Sequence, residues 1–195
     1  GYGYFTTSYL VNKVKAEYKA VFIHSEKMEC LWAVKGDLEG IDAFYSISQT
    51  CKKVFEQEYP KFSKKSFYFP NFIDYESILM KANLPCPVAC ESDKTIIVTV
   101  ERLEREKGYD LAVDIAEKLR ENGISFVWYC LGDGTQKEEI QNKIDEAGLH
   151  DNMVLAGRVD NPYPYMRKAD LYIQPSKNEG FGLAVAEALL LKKIV

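Results

Sequence analysis

The chain has 195 residues, 47% hydrophobic and 28% charged, the composition of one ordinary globular domain or of parts of two. A net charge of −4 gives no electrostatic footprint for general nucleic-acid binding, and no apolar run approaches the roughly 20 residues of a membrane span. The chain opens on Gly1 rather than Met and shows no leader pattern, so the natural N-terminus is expected to lie upstream.

In chain order, Leu10, Val11, Val14 and Tyr18 have helical spacing within residues 1–19. A strand is predicted over Lys19–Ile23, ending at His24-Ser25, and residues 26–40 give no clear pattern. A strand over Ala43–Ile47 leads into a helix over Gln49–Tyr59 with Ser48 as its N-cap. Ser66–Phe69 is a strand stopped by Pro70-Asn71, and Tyr75–Ala82 a short helix. Leu84–Asp93 carries two prolines and little periodicity, so it reads as a linker between a first domain (1–83) and a second (94–195).

After the linker the alternation is regular. Strands are predicted at Thr95–Val100, Ser125–Leu131, Met153–Ala156 and Leu171–Gln174. Helices are predicted at Tyr109–Asn122, Gln136–Ala147, Pro162–Lys168 and Leu183–Leu191. In the first of these helices Leu111, Ile115, Ala116 and Leu119 are expected on the apolar face, and Ile194-Val195 begins one more strand. Near-continuously apolar strands alternating with helices imply an α/β fold with parallel sheets covered on both faces. Right-handed crossovers then bring the residues that follow the strands to the C-terminal sheet edges, where such folds bind ligands: His24, Arg102, Gly132, Gly157 and Ser176.

Five cysteines are present: Cys30, Cys51, Cys86, Cys90 and Cys130. Cys86 and Cys90 share a proline-containing turn, but no second close pair and no His cluster completes a zinc site. Reduced thiols in a cytoplasmic protein are expected.

The densest chemistry lies in SKNEGFGLAVAEALLL, residues 176–191. Gly180 and Gly182 open a loop that feeds an apolar helix, and Glu179 and Glu187 punctuate it. A helix N-terminus offers unpaired N–H groups and a partial positive charge to a phosphate. Glu187 stands among Val185, Ala186, Ala188, Leu189 and Leu190, where an unpaired carboxylate is costly to bury. It calls for a partner: paired hydroxyls of a sugar or ribose, an internal Arg or Lys, or solvent. In ERLEREKG, residues 101–108, Arg102 and Lys107 lie between strand and helix, suited to hold a phosphate or to form a solvated, salt-bridged turn.

These runs, with CLGDG and LAGRVDNPYPYMRKADLYIQPSKNEGFGLAVAEAL, resemble the C-terminal half of a retaining glycosyltransferase of the GT-B fold, glycosyltransferase family 4, over roughly residues 94–195. The E-x7-E element matches at Glu179 and Glu187. The R-L-x3-K-G element matches at Arg102, Leu103, Lys107 and Gly108. Residues 19–74 are similar to the end of the family's N-terminal domain, with FIHS around His24 and FPNFID at residues 69–74. The resemblance implies two Rossmann-like domains, the first partial and the second stopping before its last elements, and so a fragment.

It also implies roles. Arg102 and Lys107 would hold the donor's diphosphate, Glu187 the ribose, and Glu179 the hydroxyls of the transferred sugar. The backbone of Gly180, Phe181, Gly182 and Leu183 would meet sugar and phosphate, backbone at Arg158 and Val159 the base, and His24 the donor sugar. The implied reaction is retaining, metal-independent sugar transfer from a nucleoside-diphosphate sugar to a hydroxyl of a carbohydrate or lipid-linked acceptor, in cell-envelope or capsular polysaccharide assembly, with no cofactor beyond the donor. One departure stands out: Glu101 occupies the position of the family's Gly before the Arg. It motivates a second reading, a module that binds a nucleotide sugar without transferring it. A GT-B nucleotide-sugar epimerase is a third. Lys52, Lys53, Lys61, Lys64 and Lys65 suggest a basic face for peripheral contact with anionic lipid at the inner face of the membrane, against a solvated surface.

Overall fold

The computed structural model describes residues 4–28, 31, 34–88, 93–177, 179 and 181–195. By contact the chain divides into two compact units, residues 1–72 with 179–181, and residues 73–178 with 182–195.

The first unit runs α1 (Tyr4–Lys13), β1 (Ala20–Ile23), a 3-10 turn (Asp37–Gly40), β2 (Ala43–Ser46), α2 (Gln49–Glu58), a second 3-10 turn (Pro60–Lys65) and β3 (Ser66–Tyr68). The strands form a parallel sheet in the order β1-β2-β3. Helix α2 starts where the sequence predicts: the Ser48 hydroxyl accepts from the Cys51 N–H at 3.0 Å, satisfying one orphan donor of the first turn. One sheet face carries the core, with Val21, Ile23 and Phe44 packed with Phe55 and Phe62. The segment without a readable pattern is well buried at Met28, Leu31, Val34 and Leu38. Next in the same strands, Phe22 and Tyr45 alternate to the other face and pack ring to ring in a tilted pair, 5.3 Å between centroids. Of the five lysines of the suggested basic face, Lys52 pairs with Glu56, Lys61 pairs with Glu39, and Lys65 donates to the Ile41 carbonyl.

The second unit runs α3 (Tyr75–Ala82), β4 (Thr95–Val100), a 3-10 turn (Arg105–Lys107), α4 (Tyr109–Glu121), β5 (Phe126–Leu131), α5 (Lys137–Glu146), β6 (Met153–Gly157), α6 (Tyr163–Lys168), β7 (Leu171–Tyr172) and α7 (Leu183–Leu190). Its sheet is parallel in the order β6-β5-β4-β7, and Ile194 adds a parallel bridge to Leu171. The strands alternate between two cores, as a period of two requires. Ile97, Phe126, Trp128 and Cys130 face α4 and α5, while Ile96, Val98, Val127 and Leu131 face α3, α6 and α7. Parallel strands covered on both faces match the α/β expectation. Helix α3, placed before the linker in the sequence, packs with α6; the Asn161 amide caps it by donating to the Lys81 carbonyl at 3.0 Å.

Two details differ from the pattern. The buried stripe of α4 is Tyr109, Ala112, Val113 and Ala116, with Ile115 and Leu119 at its margin, and Leu111 is 45% exposed. The stripe runs through the small residues Ala112 and Ala116, and Leu111 lies off it. Strand β7 has only two residues rather than four, although the Ile173 N–H still bonds to Val98 O at 3.0 Å. Cys51, Cys86 and Cys130 are free thiols; Cys30 and Cys90 lie outside the described residues.

Candidate functional site

The strand order of the second unit sets the location. The chain steps outward from β4 to β5 to β6 and then returns to the other side of β4 for β7. The crevice between the loops after β4 and β7 is the switch point of the sheet, where connections diverge and leave room for a ligand. Glu101 to Lys107 leave β4 there, and Gln174 to Ser176 follow β7.

Glycines bring these loops and the one after β5 into close contact. Gly132 has φ +148°, and a Cβ on it would lie 1.9 Å from the Glu101 carbonyl oxygen. Gly108, at φ +71°, would place a Cβ 2.1 Å from Pro175 O. Backbone bonds fasten the same loops: Glu101 N–H to Leu131 O at 3.0 Å, Leu103 N–H to Asp133 O at 3.1 Å, and Gln136 N–H to Leu103 O at 2.9 Å. The CLGDG and ERLEREKG runs are thus one interlocked platform.

On that platform a cleft of about 590 Å³ is lined by Val100, Glu101, Arg102, Leu131, Gly132, Asp133, Arg158 and Val159. The volume suits a small-molecule ligand. The sequence-predicted Arg102, Arg158 and Val159 therefore share one cleft. Arg102 has a side chain 68% exposed and reaches Glu106 at 3.4 Å, a weak surface pair that leaves its fork available to an anion.

Lys107 is placed differently. Its side chain is 10% exposed, and its ammonium pairs with Glu101 Oε2 at 2.9 Å, the Glu101 side chain being 14% exposed. The other oxygen of Glu101 accepts from the Gln174 amide at 2.7 Å. That amide also donates to Ser176 Oγ at 2.9 Å, and its oxygen accepts from the Tyr172 hydroxyl at 2.6 Å. The Tyr109 hydroxyl holds the Glu101 carbonyl at 3.2 Å. Burial drives the Tyr109 phenol strongly upward in pKa, so it serves as a donor. Glu101, which the sequence marks as a departure from the family pattern, is thus the centre of a network.

Glu187 lies on α7, half-buried, and its Oε1 accepts from the Tyr163 hydroxyl at 3.1 Å. Among the described residues neither an Arg nor a Lys pairs with it; a phenol from α6 takes this place. Tyr163 stands 24 residues from Glu187, and nothing in its local sequence points to the role. Val159, Tyr163, Ala184 and Val185 pack against the same core, so the cleft and the Glu187 helix share one hydrophobic floor. Helix α7 begins at Leu183 with Gly182 in the left-handed region at φ +72°, which suits glycine and presents the first-turn N–H groups. Phe181 is exposed, Glu179 is half-buried, and Gly180 lies outside the described residues. In the first unit His24 follows β1, is exposed, and stacks on Phe22 with 6.1 Å between centroids.

Burial raises the Glu187 carboxyl above its ordinary value of 4.5, and the Tyr163 hydrogen bond, which favours the charged form, offsets only part of that rise. The folded state then holds this proton more tightly than the unfolded chain does. The stabilising contribution is fully present below pH 4.5 and is lost as pH rises through the raised folded value. E187Q is expected to melt higher than wild type at pH 7, with the gain shrinking toward pH 4, where both side chains are neutral. Parallel melting curves across that range would contradict this.

The sequence profile of the family described as glycosyl transferases group 1 matches residues 86–195. The chain belongs to this family. Among its relatives is an uncharacterized glycosyltransferase of Methanocaldococcus jannaschii, 24% identical over 147 residues that cover 74% of this chain and 36% of that protein. Another is the N-acetylgalactosamine-N,N'-diacetylbacillosaminyl-diphospho-undecaprenol 4-alpha-N-acetylgalactosaminyltransferase of Campylobacter jejuni, 31% identical over 155 residues, 80% of this chain and 37% of that protein. The chain thus spans little more than a third of the length of these group 1 transferases. The fold matches a crystal structure of a Staphylococcus aureus TarM variant in complex with Fondaparinux, alpha-GlcNAc-glycerol and UDP, with a TM-score of 0.74 at 20% identity over 90% of this chain and 36% of that one. At that identity the likeness establishes the fold, that of GT-B glycosyltransferases. Among the described residues no helix is long and apolar enough to cross a membrane.

Proposed function

We propose that this chain binds the donor in retaining, metal-independent transfer of a sugar from a nucleoside-diphosphate sugar to an acceptor hydroxyl. The observation that carries the reading is the convergence of Arg102 and Arg158 on one cleft over the C-terminal ends of β4, β5 and β6, where the Glu101 carboxylate that lines it pairs with the buried ammonium of Lys107. Breaking the sugar–phosphate bond leaves charge on the diphosphate. Arg102, Lys107 and the N-terminus of α7 are placed in loops suited to stabilise that charge as it develops. Glu187, oriented by Tyr163, accepts from the ribose hydroxyls. Backbone at Arg158 and Val159 meets the base, and Gly180 to Leu183 meet sugar and phosphate. Glu179 and His24 are assigned to the transferred sugar. The acceptor attacks from the face the diphosphate leaves, and the leaving phosphate takes the acceptor's proton. Neither a metal nor a cofactor beyond the donor enters this scheme. The names of the Campylobacter relative and of an Escherichia coli O-antigen biosynthesis glycosyltransferase suggest envelope polysaccharide assembly on carbohydrate or lipid-linked acceptors. A cytoplasmic location, peripheral to the membrane, is part of the same proposal.

The test is a thermal-shift panel of UDP, GDP and ADP with and without sugars. A ligand at 100 times its dissociation constant stabilises by about 2.7 kcal/mol. A selective shift, lost in R102A, is expected; the absence of any shift with all three nucleotides would remove the donor-site reading. The Glu101–Lys107 pair favours a second reading, a binding module without turnover. Release of free nucleotide from a nucleotide sugar with formation of a glycoside would exclude it.

A further inference from the structure

The cleft lining holds two carboxylates, Glu101 and Asp133, and two guanidinium groups, Arg102 and Arg158. Its formal charge is therefore zero, an odd balance for a place that is to receive a diphosphate. Lys107, a buried cation of the same loop, is matched by Glu101 at 2.9 Å, in a pair nearly out of water. An ammonium buried to this degree requires a counter-charge, and in a low-dielectric setting the two ions cancel closely. The Gln174 amide at 2.7 Å, itself oriented by the Tyr172 hydroxyl, fixes the second carboxylate oxygen. Backbone at Glu101 is fixed as well, since Gly132 leaves no space behind its carbonyl. The side chain is thus held on Lys107 and does not hang there by chance of rotamer.

We propose that Glu101 is a built-in counter-anion on Lys107 and a determinant of donor affinity: a nucleoside diphosphate that engages Lys107 takes the place of the Glu101 carboxylate. The proposal rests on the reading that Lys107 serves the diphosphate. Displacement has a cost that a ligand with one phosphate meets poorly and a diphosphate meets better, because the second phosphate brings Arg102 into play. The site thereby discriminates by charge as well as by shape, and resting Lys107 is shielded from stray anions.

The experiment is isothermal titration calorimetry of UDP, GDP and ADP, at one fixed salt concentration, with wild type, E101Q, K107A and E101Q/K107A. E101Q keeps the side-chain volume and removes the charge. It is expected to tighten binding of the preferred nucleotide at least about tenfold, the lower end of coupling measured for close charge pairs. The gain should vanish in the K107A background, as a double-mutant cycle would show. E101Q binding equal to or weaker than wild type overturns the proposal and makes Glu101 a positioning residue for Lys107. A gain that persists in E101Q/K107A also overturns it, since the effect then runs through the general field of the cleft. No binding of any nucleotide to wild type or E101Q overturns the donor-site reading itself, a result distinct from the other two. If E101Q does not recover the near-ultraviolet dichroism of wild type, E101G replaces it with the same expected direction.

Discussion

Lys107→Ala is expected to lower sugar transfer at least about 10²-fold, the scale on which a preorganised transition-state donor is lost. The expectation follows from its position. The ammonium sits in the loop after β4, at the switch point, beside the carboxylate that its removal would strand. Truncation takes away a cation on which charge would develop, and leaves Glu101 to repel the diphosphate. Both effects act on the same step, so kcat and kcat/KM should fall together. Glu187→Ala is expected to show a loss of similar order that is weighted toward KM, because the proposed ribose contact would be made in ground and transition states alike. Rates near wild type in both variants, measured with the donor that the thermal-shift panel selects, would sink the assignment of this cleft to the donor.

The largest effect on folding is expected at Gly132. Gly132→Ala sets a Cβ 1.9 Å from the Glu101 carbonyl oxygen at a φ of +148°. The oxygen is backbone, and Glu101 is held by Leu131 O and by the Tyr109 hydroxyl, so nothing flexible yields. A loss of at least about 3 kcal/mol is expected from backbone strain and clash together. For a chain of this size that is a fall of roughly 6–12 °C in melting temperature. Gly123→Ala is the control. Its φ is +70°, and nothing lies within 4 Å of the added carbon. It should cost only about 1–2 kcal/mol, the usual left-handed penalty. Equal losses at the two positions would mean that conformation alone, and not the closeness of the two loops, sets the cost.

The sequence carried much of the second sheet. Thr95–Val100 and Ser125–Leu131 read as strands because their apolar residues are nearly continuous, and the structure has β4 and β5 there. The loops that follow them were also readable, since strand ends in a parallel sheet share an edge. What could not be read is who meets whom across the fold. Tyr163 reaches Glu187 from another helix, 24 residues away, and no local pattern marks it. Glu101 was visible as a departure, but its direction toward Lys107 and Gln174 depends on β7 lying next to β4, which no spacing encodes. Leu111 was assigned inward because it repeats with Ile115 and Leu119, yet the deeper stripe is built from alanines that a hydrophobic pattern ranks lower. Met28, Leu31, Val34 and Leu38 are buried at a spacing near three, with Leu31 N–H bonded to Met28 O and Val34 N–H to Leu31 O, a turn-like repeat that is too short to stand out against the polar residues between them.

Among the buried polar contacts of the second unit, one links β5, β4 and the residue that follows β7. The Trp128 indole N–H donates to Thr99 Oγ1 at 2.9 Å, and that hydroxyl donates to Ile173 O at 2.6 Å. The indole is fully buried, and the sequence holds just one other tryptophan, Trp32. Trp128 is therefore an optical sensor for one half of the chain: with Trp32 replaced by Phe, a red shift in emission would report the opening of the β4–β5–β7 layer alone. The same hydroxyl ties that emission to the carbonyl just before Gln174, so a ligand that moves the Glu101 network has a short covalent path to a colour change.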